Sequence, residues 1–574
     1  MKYFVPLLFL LATISFAQQS RADALIINKS MLASNIIEFY VDDEGVTAEL
    51  EIGLDSVPLF KNLLPDGVYQ QMGFGSEVSS LRQQEFFSKQ LALLGANNIP
   101  LAGEVLAIGP SRKLLRDPLN GTPLAIQDEA PDIVRASLRY RFEPGLKPEQ
   151  LTFVAPAPGD TGFVAYHNEV AVNDFRYLRS GYTLVLDWQD PWYSRFKSRS
   201  MLRQYSAPMS GFIYVESFEV RKEIIARPKD LQRWIDLGLE GKSIIPVEMQ
   251  AEIKLKVAEF LSRHQPVTID GEGREGILDS VNFLERTLTS SRVVDPPVPL
   301  GIDAAILGAI FVYPQKGLPQ KVTMDWDLWD ERITRVPVSA VDQAGPLPSF
   351  LEPDWTQLEW TNFLTNPIVP TLEVIEPPVD GWKLTLAKGF PVTVILLLPS
   401  LGWVYLTIKK QKPRTLPASV AILFVAACLA AFLLRESNRI QPERAEVIVG
   451  KLLHNIYRSF DYRDESDIYD VLERSVTGEL LTNIYLETKR SLVLANQGGA
   501  QAKVKSVLLD NLELKPTADD NGFNAEVNWT VNGSVGHWGH VHQRSNRYQA
   551  VLTIVAEQQQ WKLREMVVLQ EERL

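Results

Sequence analysis

Residues 523–532 read FNAEVNWTVN and alternate apolar and polar side chains without a break. Successive side chains of a strand point to opposite faces of a sheet. This pattern therefore predicts a strand with one face on a core and the other in solvent. Residues 504–509, 548–554 and 561–563 carry a similar alternation. We therefore predict an antiparallel meander of strands at the C-terminal end of the chain.

Three helices are predicted before this meander. Apolar side chains recur at helical spacing over residues 449–460, and two further helical segments cover residues 467–474 and 479–494. Glycines within 496–499 end the third helix. Helices followed by a curved antiparallel sheet resemble the NTF2-like cone fold, here over residues 441–574. The resemblance implies an α+β domain that forms a cup for a ligand or a partner and, in a minority of members, an enzyme.

The segment 536–542, GHWGHVH, holds half of the six histidines of the chain. His540 and His542 share one face of a strand, and a bulge at the neighbouring glycines would bring His537 to the same face. Neutral imidazole is a common ligand of zinc, copper and nickel. His537, His540 and His542 are therefore a candidate site for a divalent transition metal, with a polar hairpin rim as the alternative.

Arg544, Asn546 and Tyr548 continue the strand face of His540 and His542. They predict a polar ladder that lines a cup or a partner interface. An enzyme with its site in this C-terminal cup is a weaker alternative. The sequence contains no G-x-S-x-G elbow, no H-E-x-x-H motif and no glycine-rich phosphate loop.

Two charge-free segments precede this domain: 389–408 (GFPVTVILLLPSLGWVYLTI) and 416–434 (LPASVAILFVAACLAAFLL). A helix needs about 20 apolar residues to cross the hydrocarbon core of a bilayer. The intervening residues 409–415, KKQKPRT, carry four cations, which is typical of a cytoplasmic turn. These patterns predict a transmembrane hairpin of two helices, with a pair of buried core helices as the alternative.

The N-terminus predicts export. Residues 1–24 combine a cation at Lys2, a short apolar stretch and small residues at candidate cleavage sites. This is the pattern of a secretory signal peptide, with an uncleaved anchor as the alternative. If the turn at 409–415 is cytoplasmic, both large regions of the chain lie on the periplasmic side of a bacterial inner membrane. The lipid bilayer is then a predicted partner of the hairpin.

The region between the signal peptide and the hairpin predicts mostly β structure. Residues 36–40 and 46–52 alternate with the period of half-buried strands. We predict an extracytoplasmic, sandwich-like domain at 25–203, a mixed connector of strand and helix at 204–264, and a second β-rich domain with a proline-rich end at 265–379. This part of the chain looks like a bacterial envelope protein family, and that resemblance implies no activity.

Residues 187–196, DWQDPWYSRF, concentrate four aromatic residues, two carboxylates and one arginine. Trp188, Trp192, Tyr193 and Arg195 would form a binding edge for a partner or ligand, since aromatic rings bury a large area at low entropic cost. The sequence favours the alternative, which is an aromatic-rich loop that closes the domain core around an internal Arg–Asp pair.

The composition of the chain excludes some classes of function. A net charge of −12 gives a nucleic-acid partner no electrostatic basis. The only cysteine, Cys428, leaves no disulfide and no thiolate zinc site. We predict a multidomain membrane protein, anchored in the inner membrane, that serves without catalysis as a periplasmic binding or assembly module for an envelope protein. A periplasmic metal-handling protein that uses the histidine cluster is the alternative.

Overall fold

The computed structural model describes residues 29–574, with gaps, and its described part is mostly β-sheet. The described residues form 28 strands in six sheets, which confirms the prediction of mostly β structure. The gaps are 96–97, 116–129, 157–159, 204–205, 287–290, 368, 370, most of 379–439, 463–464, 499–500, 517–521 and 538–539, and the side chains of 286–292, 490–502 and 535–542 also lie outside the description.

The N-terminal domain is a sandwich of two sheets. Its strands are β1 (Asn35–Asp42), β2 (Gly45–Gly53), β3 (Leu93–Leu94), β4 (Ala102–Arg112), β5 (Asp132–Arg141), β6 (Gln150–Phe153), β7 (Thr161–His167), β8 (Val170–Ala171), β9 (Arg176–Tyr177), β10 (Thr183–Val185) and β11 (Arg195–Phe196). One sheet has the order β4-β5-β2-β1-β7-β8, with β9 also on β7, and the other has the order β11-β10-β6-β3. Two short helices, α1 (Asp66–Gln71) and α2 (Ser79–Glu85), follow β2.

Aromatic rings join the two sheets of this domain. Phe39 on β1 lies 5.0 Å from Phe153 on β6, and Phe163 on β7 lies 5.9 Å from Phe196 on β11, measured between ring centroids. Both pairs meet edge to face, the geometry that aromatic quadrupoles prefer. The inner faces of the two sheets therefore share one apolar core, as in other sandwiches.

The middle domain is a second sandwich with one long helix. Its strands are β12 (Met209–Val215), β13 (Glu219–Ala226), β14 (Ile244–Ile245), β15 (Val267–Ile269), β16 (Glu272–Arg274), β17 (Ile277–Arg286), β18 (Ser291–Val293), β19 (Leu300–Gly301), β20 (Ile306–Pro314), β21 (Lys321–Asp325), β22 (Val336–Asp342), β23 (Gly345–Leu351) and β24 (Gln357–Thr361). Its helices are α3 (Pro228–Leu231) and α4 (Val247–Ser262). The apolar face of α4, with Ile253, Val257 and Leu261, joins the core of the domain.

Strands on both sides of the predicted boundary at 264 lie in one sheet. The seven-stranded sheet has the order β18-β17-β20-β13-β12-β22-β23, a four-stranded sheet has the order β16-β15-β21-β24, and β14 pairs with β19. β12 and β13 come from the predicted connector 204–264, and their neighbours β20 and β22 come from the predicted domain 265–379. The connector therefore belongs to the centre of the middle domain rather than to a link between domains.

The C-terminal domain has three helices followed by a four-stranded meander. The elements are α5 (Pro442–Arg458), α6 (Glu465–Glu473), α7 (Gly478–Gly498), β25 (Gln501–Lys515), β26 (Gly522–His537), β27 (His540–Glu557) and β28 (Gln560–Arg573). The strands pair antiparallel in chain order. Ala525, Val527 and Trp529 on β26 are completely buried, as the alternating pattern of 523–532 predicts, and they pack with apolar residues of α5.

Short 3-10 and π segments complete the described secondary structure. The 3-10 segments are Lys29–Leu32, Leu54–Leu63, Pro191–Tyr193, Arg199–Met201 and Ser459–Asp461, and the π segment is Phe86–Gln90.

The fold-class prediction is wrong in its two-helix transmembrane hairpin. Within the described residues, no helix is long and apolar enough to cross a membrane. Most of 389–408 and 416–434 lies outside the described residues, and only short pieces such as 401–403 are described as helical. The prediction used composition alone, whereas a span is a helix of about 20 apolar residues. The predicted signal peptide at 1–24 likewise lies outside the described residues.

Candidate functional site

The loop 187–196 forms one side of an interface between the N-terminal and middle domains. The carboxylate of Asp187 accepts two backbone N–H groups of the same turn, at 2.9 and 3.0 Å. The carboxylate of Asp190 then caps the 3-10 segment Pro191–Tyr193 by accepting the N–H of Trp192 at 3.2 Å. Asp commonly makes such bonds at turns and helix starts. These local bonds hold Asp190 at the surface that meets the middle domain.

Arg227, which directly follows β13, is the partner of Asp190. Its guanidinium donates to both carboxylate oxygens of Asp190, at 2.9 and 3.1 Å, and to Asp230 at 2.9 Å. It also lies 4.6 Å from the ring centroid of Trp192. Burial by itself would raise the pKa of Asp190, but the hydrogen bonds and charge of Arg227 outweigh it and lower that pKa. For Asp230 burial dominates, and the pKa is raised.

Further ion pairs surround this buried centre. Lys229 pairs with Asp303, and Arg332 pairs with Asp187 at 3.4 Å. The guanidinium of Arg332 also lies 4.7 Å from the ring centroid of Tyr193. Planar guanidinium groups stack well on aromatic faces and bond carboxylates at the same time. The interface between the two domains is therefore held by charge and aromatic stacking together.

The four residues of the predicted binding edge do not share one surface. Trp192 is buried in the domain interface, and Tyr193 lies half-buried beside it. Trp188 packs on the core of the N-terminal domain, and Arg195 on β11 is exposed. The alternative interpretation expected an internal Arg–Asp pair. Such a pair exists, but its arginine is Arg227 of the middle domain rather than a residue of the loop.

His167 lies fully buried beneath this loop. Its Nδ1 is 2.7 Å from the Oγ of Ser194, and its ring meets the ring of Trp188 edge to face, with centroids 4.6 Å apart. Burial disfavours the charged imidazolium and lowers the pKa of His167 to about 4. The ring is therefore neutral at physiological pH, and it supports the loop from the side of the N-terminal core.

Strand β13 is buried along its whole length although it carries four charged residues, which is unusual for a central strand. Lys222 donates to the main-chain carbonyls of Leu261, His264 and Gln265 at 2.7–3.3 Å. These carbonyls lie at the C-terminal end of α4, where a helix leaves acceptors unpaired and favours a cation. Burial lowers the pKa of Lys222 to about 7. Lys222 thus fixes β13 to the long helix of its own domain.

The N-terminal end of β13, opposite the end that is followed by Arg227, contacts the C-terminal domain. The Nζ of Lys503 on β25 lies 3.0 Å from Glu216 and 3.9 Å from Glu219, at the turn between β12 and β13. Burial would lower the pKa of Lys503, but the surrounding carboxylates raise it. Beside this pair the rings of Phe218 and Tyr462 stack. The second domain interface therefore also combines an ion pair with aromatic stacking, although here the pair of Lys503 and Glu216 is half-buried.

One hairpin, β12–β13, carries both interfaces. Its turn holds Glu216 and Phe218 against the C-terminal domain, and its far end holds Arg227 against the N-terminal domain. A strand of this length spans roughly 26 Å at about 3.3 Å per residue. Neither Arg227 nor Lys503 was predicted from the sequence as a functional residue. The charged run at 219–223, EVRKE, in a strand that is otherwise apolar was a signal that this hairpin buries charge, but it does not include either residue.

The predicted polar ladder of Arg544, Asn546 and Tyr548 is only partly exposed at the surface of the C-terminal domain. Tyr548 is buried, with its ring centroid 5.4 Å from that of Trp529, and its hydroxyl accepts a 3.0 Å hydrogen bond from Asn546. Trp529 in turn donates its Nε1 to the hydroxyl of Tyr457 on α5, at 3.3 Å. Arg544 is half-buried, and burial lowers its pKa. Aromatic rings therefore fill the space between α5 and the sheet at this level.

The histidine cluster lies at the end of the β26–β27 hairpin. The backbone register pairs His537 with His540, and His542 follows two positions further along β27. Opposite residues of an antiparallel pair share a face, as do alternate residues of one strand, so these three positions belong to one face of the ladder without a bulge. Their side chains lie outside the description. Among the described side chains, no group of three or more His, Cys, Asp or Glu is arranged to hold a metal ion.

Comparison with known proteins gives no family. No protein-family model and no curated protein matches the chain. Among solved structures, the chain is similar to the crystal structure of the intermembrane space region of the chloroplast protein ARC6. The identity is 21%, over 23% of this chain and 97% of that chain, with a TM-score of 0.16. A likeness with so low a TM-score carries no argument about fold or function.

Proposed function

We propose that the chain is a binding or assembly module for a protein partner, in which three domains act as one rigid platform. The observation that carries the proposal is the ion pairing at both ends of the β12–β13 hairpin: the buried pair of Arg227 with Asp190, and the half-buried pair of Lys503 with Glu216. Separating the N-terminal and middle domains would break the buried pair of Arg227 and Asp190, at a cost of about 3–5 kcal/mol. Ion pairs between domains fix the positions of the three domains relative to one another, and a surface that assembles other proteins requires such fixed positions.

We further propose that residues 441–574 form an NTF2-like cone that contributes the partner-binding part of the platform. Support comes from the order of the elements, with α5, α6 and α7 before the meander β25–β28, and from the packing of α5 against the sheet. The ring-filled interior around Trp529 and Tyr548 favours binding through the outside of the cone over an enzyme site inside it. The predicted signal peptide at 1–24 is our reason to propose a periplasmic location.

Partner capture tests the platform. The full chain, tagged at its C-terminus, is crosslinked in its native cells, purified and compared with Arg227→Met and with the exposed control Arg195→Met. We expect a defined partner protein with the wild type and the control, and several-fold less of it with Arg227→Met, because that variant loosens the domain interface. Recovery of this chain alone in all three samples would overturn the proposal.

A metal-binding role for the histidine cluster is a second candidate. The observation that favours it is the backbone register, which assigns positions 537, 540 and 542 to one face of the β26–β27 hairpin. Three histidine positions on one face match the ligand number of an open zinc site. In this proposal the cluster would bind a divalent transition metal, with zinc, copper and nickel as the ions that suit imidazole.

Metal analysis of the full chain tests this second candidate. Protein purified without chelator is compared with His540→Ala and with the control His264→Ala, whose ring pairs with Asp327 in the middle domain. We expect about one equivalent of metal in the wild type and the control, and a loss of most of it in His540→Ala. Equal metal content in the wild type and His540→Ala would exclude a role for the cluster.

A further inference from the structure

A strap of six residues, 371–376 (TLEVIE), runs along helix α5 and is held by its main chain. The side-chain amide of Asn455 accepts the N–H of Glu373 at 2.7 Å and donates to the carbonyl of the same residue at 3.1 Å. Lys451 donates to the carbonyl of Val374 at 2.7 Å, and His454 Nε2 lies 3.1 Å from the carbonyl of Thr371. Four main-chain groups of the strap are thus bonded by three side chains of one helix.

The strap is extended and antiparallel to α5. Thr371 meets position 454, Val374 meets Lys451, and Glu376 pairs with Arg444 at 3.9 Å. The helix rises about 1.5 Å per residue, so these contacts cover roughly 15 Å of its axis. Only an extended chain, at about 3.3 Å per residue, covers such a distance in six residues. No helix or strand is assigned to 371–378.

The strap contributes little of its own to the core. Ile375 packs on the core of the C-terminal domain, but the side chain of Val374 is 83% exposed and Glu373 is exposed. Asn455, by contrast, is only 4% exposed, and both ends of its amide are satisfied by the strap. Buried polar groups require such partners, so removal of the strap would leave a preformed receptor for a peptide main chain.

The receptor also has a charge preference. Lys451 lies 4.0 Å from the carboxylate of Glu373, and Arg444 lies near that of Glu376. Main-chain hydrogen bonds allow an extended peptide of almost any sequence to bind. Pockets and charges that contact its side chains then determine which sequences bind best. The matching ligand is an extended segment with an aliphatic residue flanked by acids, in the spacing of Glu373, Ile375 and Glu376.

We propose that the surface of α5 around Asn455 is a peptide-binding site for an extended acidic segment of a partner protein, and that the strap 371–376 occupies it in cis until the partner segment replaces it. This proposal deepens the binding role proposed above and rests on it. The partner is defined by chemistry: an extended chain that presents main-chain groups to Asn455, carboxylates to Lys451 and Arg444, and one aliphatic side chain to the core.

The test uses the full chain and a fluorescent synthetic peptide of residues 368–378. In Glu373→Pro/Ile375→Asp, the strap loses both the N–H that Asn455 accepts and its apolar anchor, so the groove is freed. We expect the peptide to bind this variant at least about tenfold more tightly than the wild type, whose groove is occupied. Adding Asn455→Leu should abolish binding, whereas adding Asn483→Leu on α7 should leave it unchanged.

A second measurement does not depend on the folding of the double variant. Excess peptide added to the wild-type chain should accelerate hydrogen exchange of the Glu373 amide, because the displaced strap loses the bond to Asn455. Peptide binding that survives Asn455→Leu, or no acceleration at saturating peptide, overturns the proposal. So does formation of strap-exchanged dimers in place of peptide binding, detected by light scattering. Since no partner protein is used, these outcomes are separate from the result of partner capture.

Discussion

The ring of Phe218 stacks on the ring of Tyr462, with centroids 5.2 Å apart and planes 23° from parallel. Phe218 belongs to the turn between β12 and β13, and Tyr462 follows the 3-10 segment at the end of α5. The stack therefore closes the interface between the middle and C-terminal domains beside the half-buried Lys503. Stacked aromatic pairs contribute about 0.5–1.5 kcal/mol beyond the area that they bury. The charge pair and the ring pair together make this interface specific.

Replacement of Lys503 should weaken the C-terminal interface. In Lys503→Met, the half-buried carboxylate of Glu216 and the buried carboxylate of Glu219 lose the positive charge of Lys503. We expect a loss of about 2 kcal/mol, in the range for charged hydrogen bonds. Hydrogen exchange at 216–219 should become faster by more than tenfold. Lys505→Met, at an exposed position of the same strand, is the matched control. Unchanged exchange in Lys503→Met would contradict a stabilising role for this pair.

Replacement of Arg227 should separate the N-terminal and middle domains. Arg227→Met leaves Asp190 and Asp230 buried without their shared cation. Loss of one partner of a buried pair costs about 3–5 kcal/mol. We expect a lower urea midpoint and a larger radius of gyration by small-angle X-ray scattering. Arg195→Met should stay within about 0.5 kcal/mol, as exposed substitutions do. Equal midpoints for the two variants would refute this assignment.

Stability should depend on the protonation of His167. Its pKa in the folded protein is lowered to about 4, against about 6.5 for an unperturbed histidine. Between pH 6.5 and 4 the unfolded chain therefore binds more protons at this residue, and stability falls as the pH falls through this window. The difference corresponds to about 3 kcal/mol. Urea unfolding at pH 4 to 7 should show a shallower acid loss in His167→Asn than in the wild type. Parallel pH profiles would contradict this expectation.

Truncation of Trp529 should destabilise the C-terminal domain. The indole is completely buried and donates to the hydroxyl of Tyr457, so Trp529→Ala leaves both a cavity and a hydroxyl without its donor. Loss of a buried aromatic side chain costs about 3–5 kcal/mol. Thermal unfolding followed by circular dichroism should show a clearly lower midpoint. Leu569→Ala on β28, where the side chain is 54% exposed, serves as the control and should change little. A midpoint equal to that of the control would mean that the interior is not tightly packed.

The strands follow from the sequence because their pattern is local. The alternation at 523–532 predicted β26, and that at 36–40 and 46–52 predicted β1 and β2. The alternation of side chains along a strand shows which residues face a core, and it can be read without knowing which other elements form that core. The wrong prediction of a transmembrane hairpin at 389–408 and 416–434 used composition alone. Apolar composition is visible in the sequence, but among the described residues no helix is long and apolar enough to cross a membrane.

Tertiary structure alone decided which charges meet. Asp190 lies in a loop rich in aromatics, and nothing nearby in the sequence marks Arg227 of the next domain as its partner. Lys503 and Glu216 are even further apart along the chain. The charged run EVRKE in β13 violates the usual composition of a buried strand. Arg221 pairs with Glu223 of the same strand, but α4 and the C-terminal domain supply partners for Lys222 and Glu219. Pairing of buried charges is a property of surfaces brought together by folding, so no periodicity along the chain encodes it.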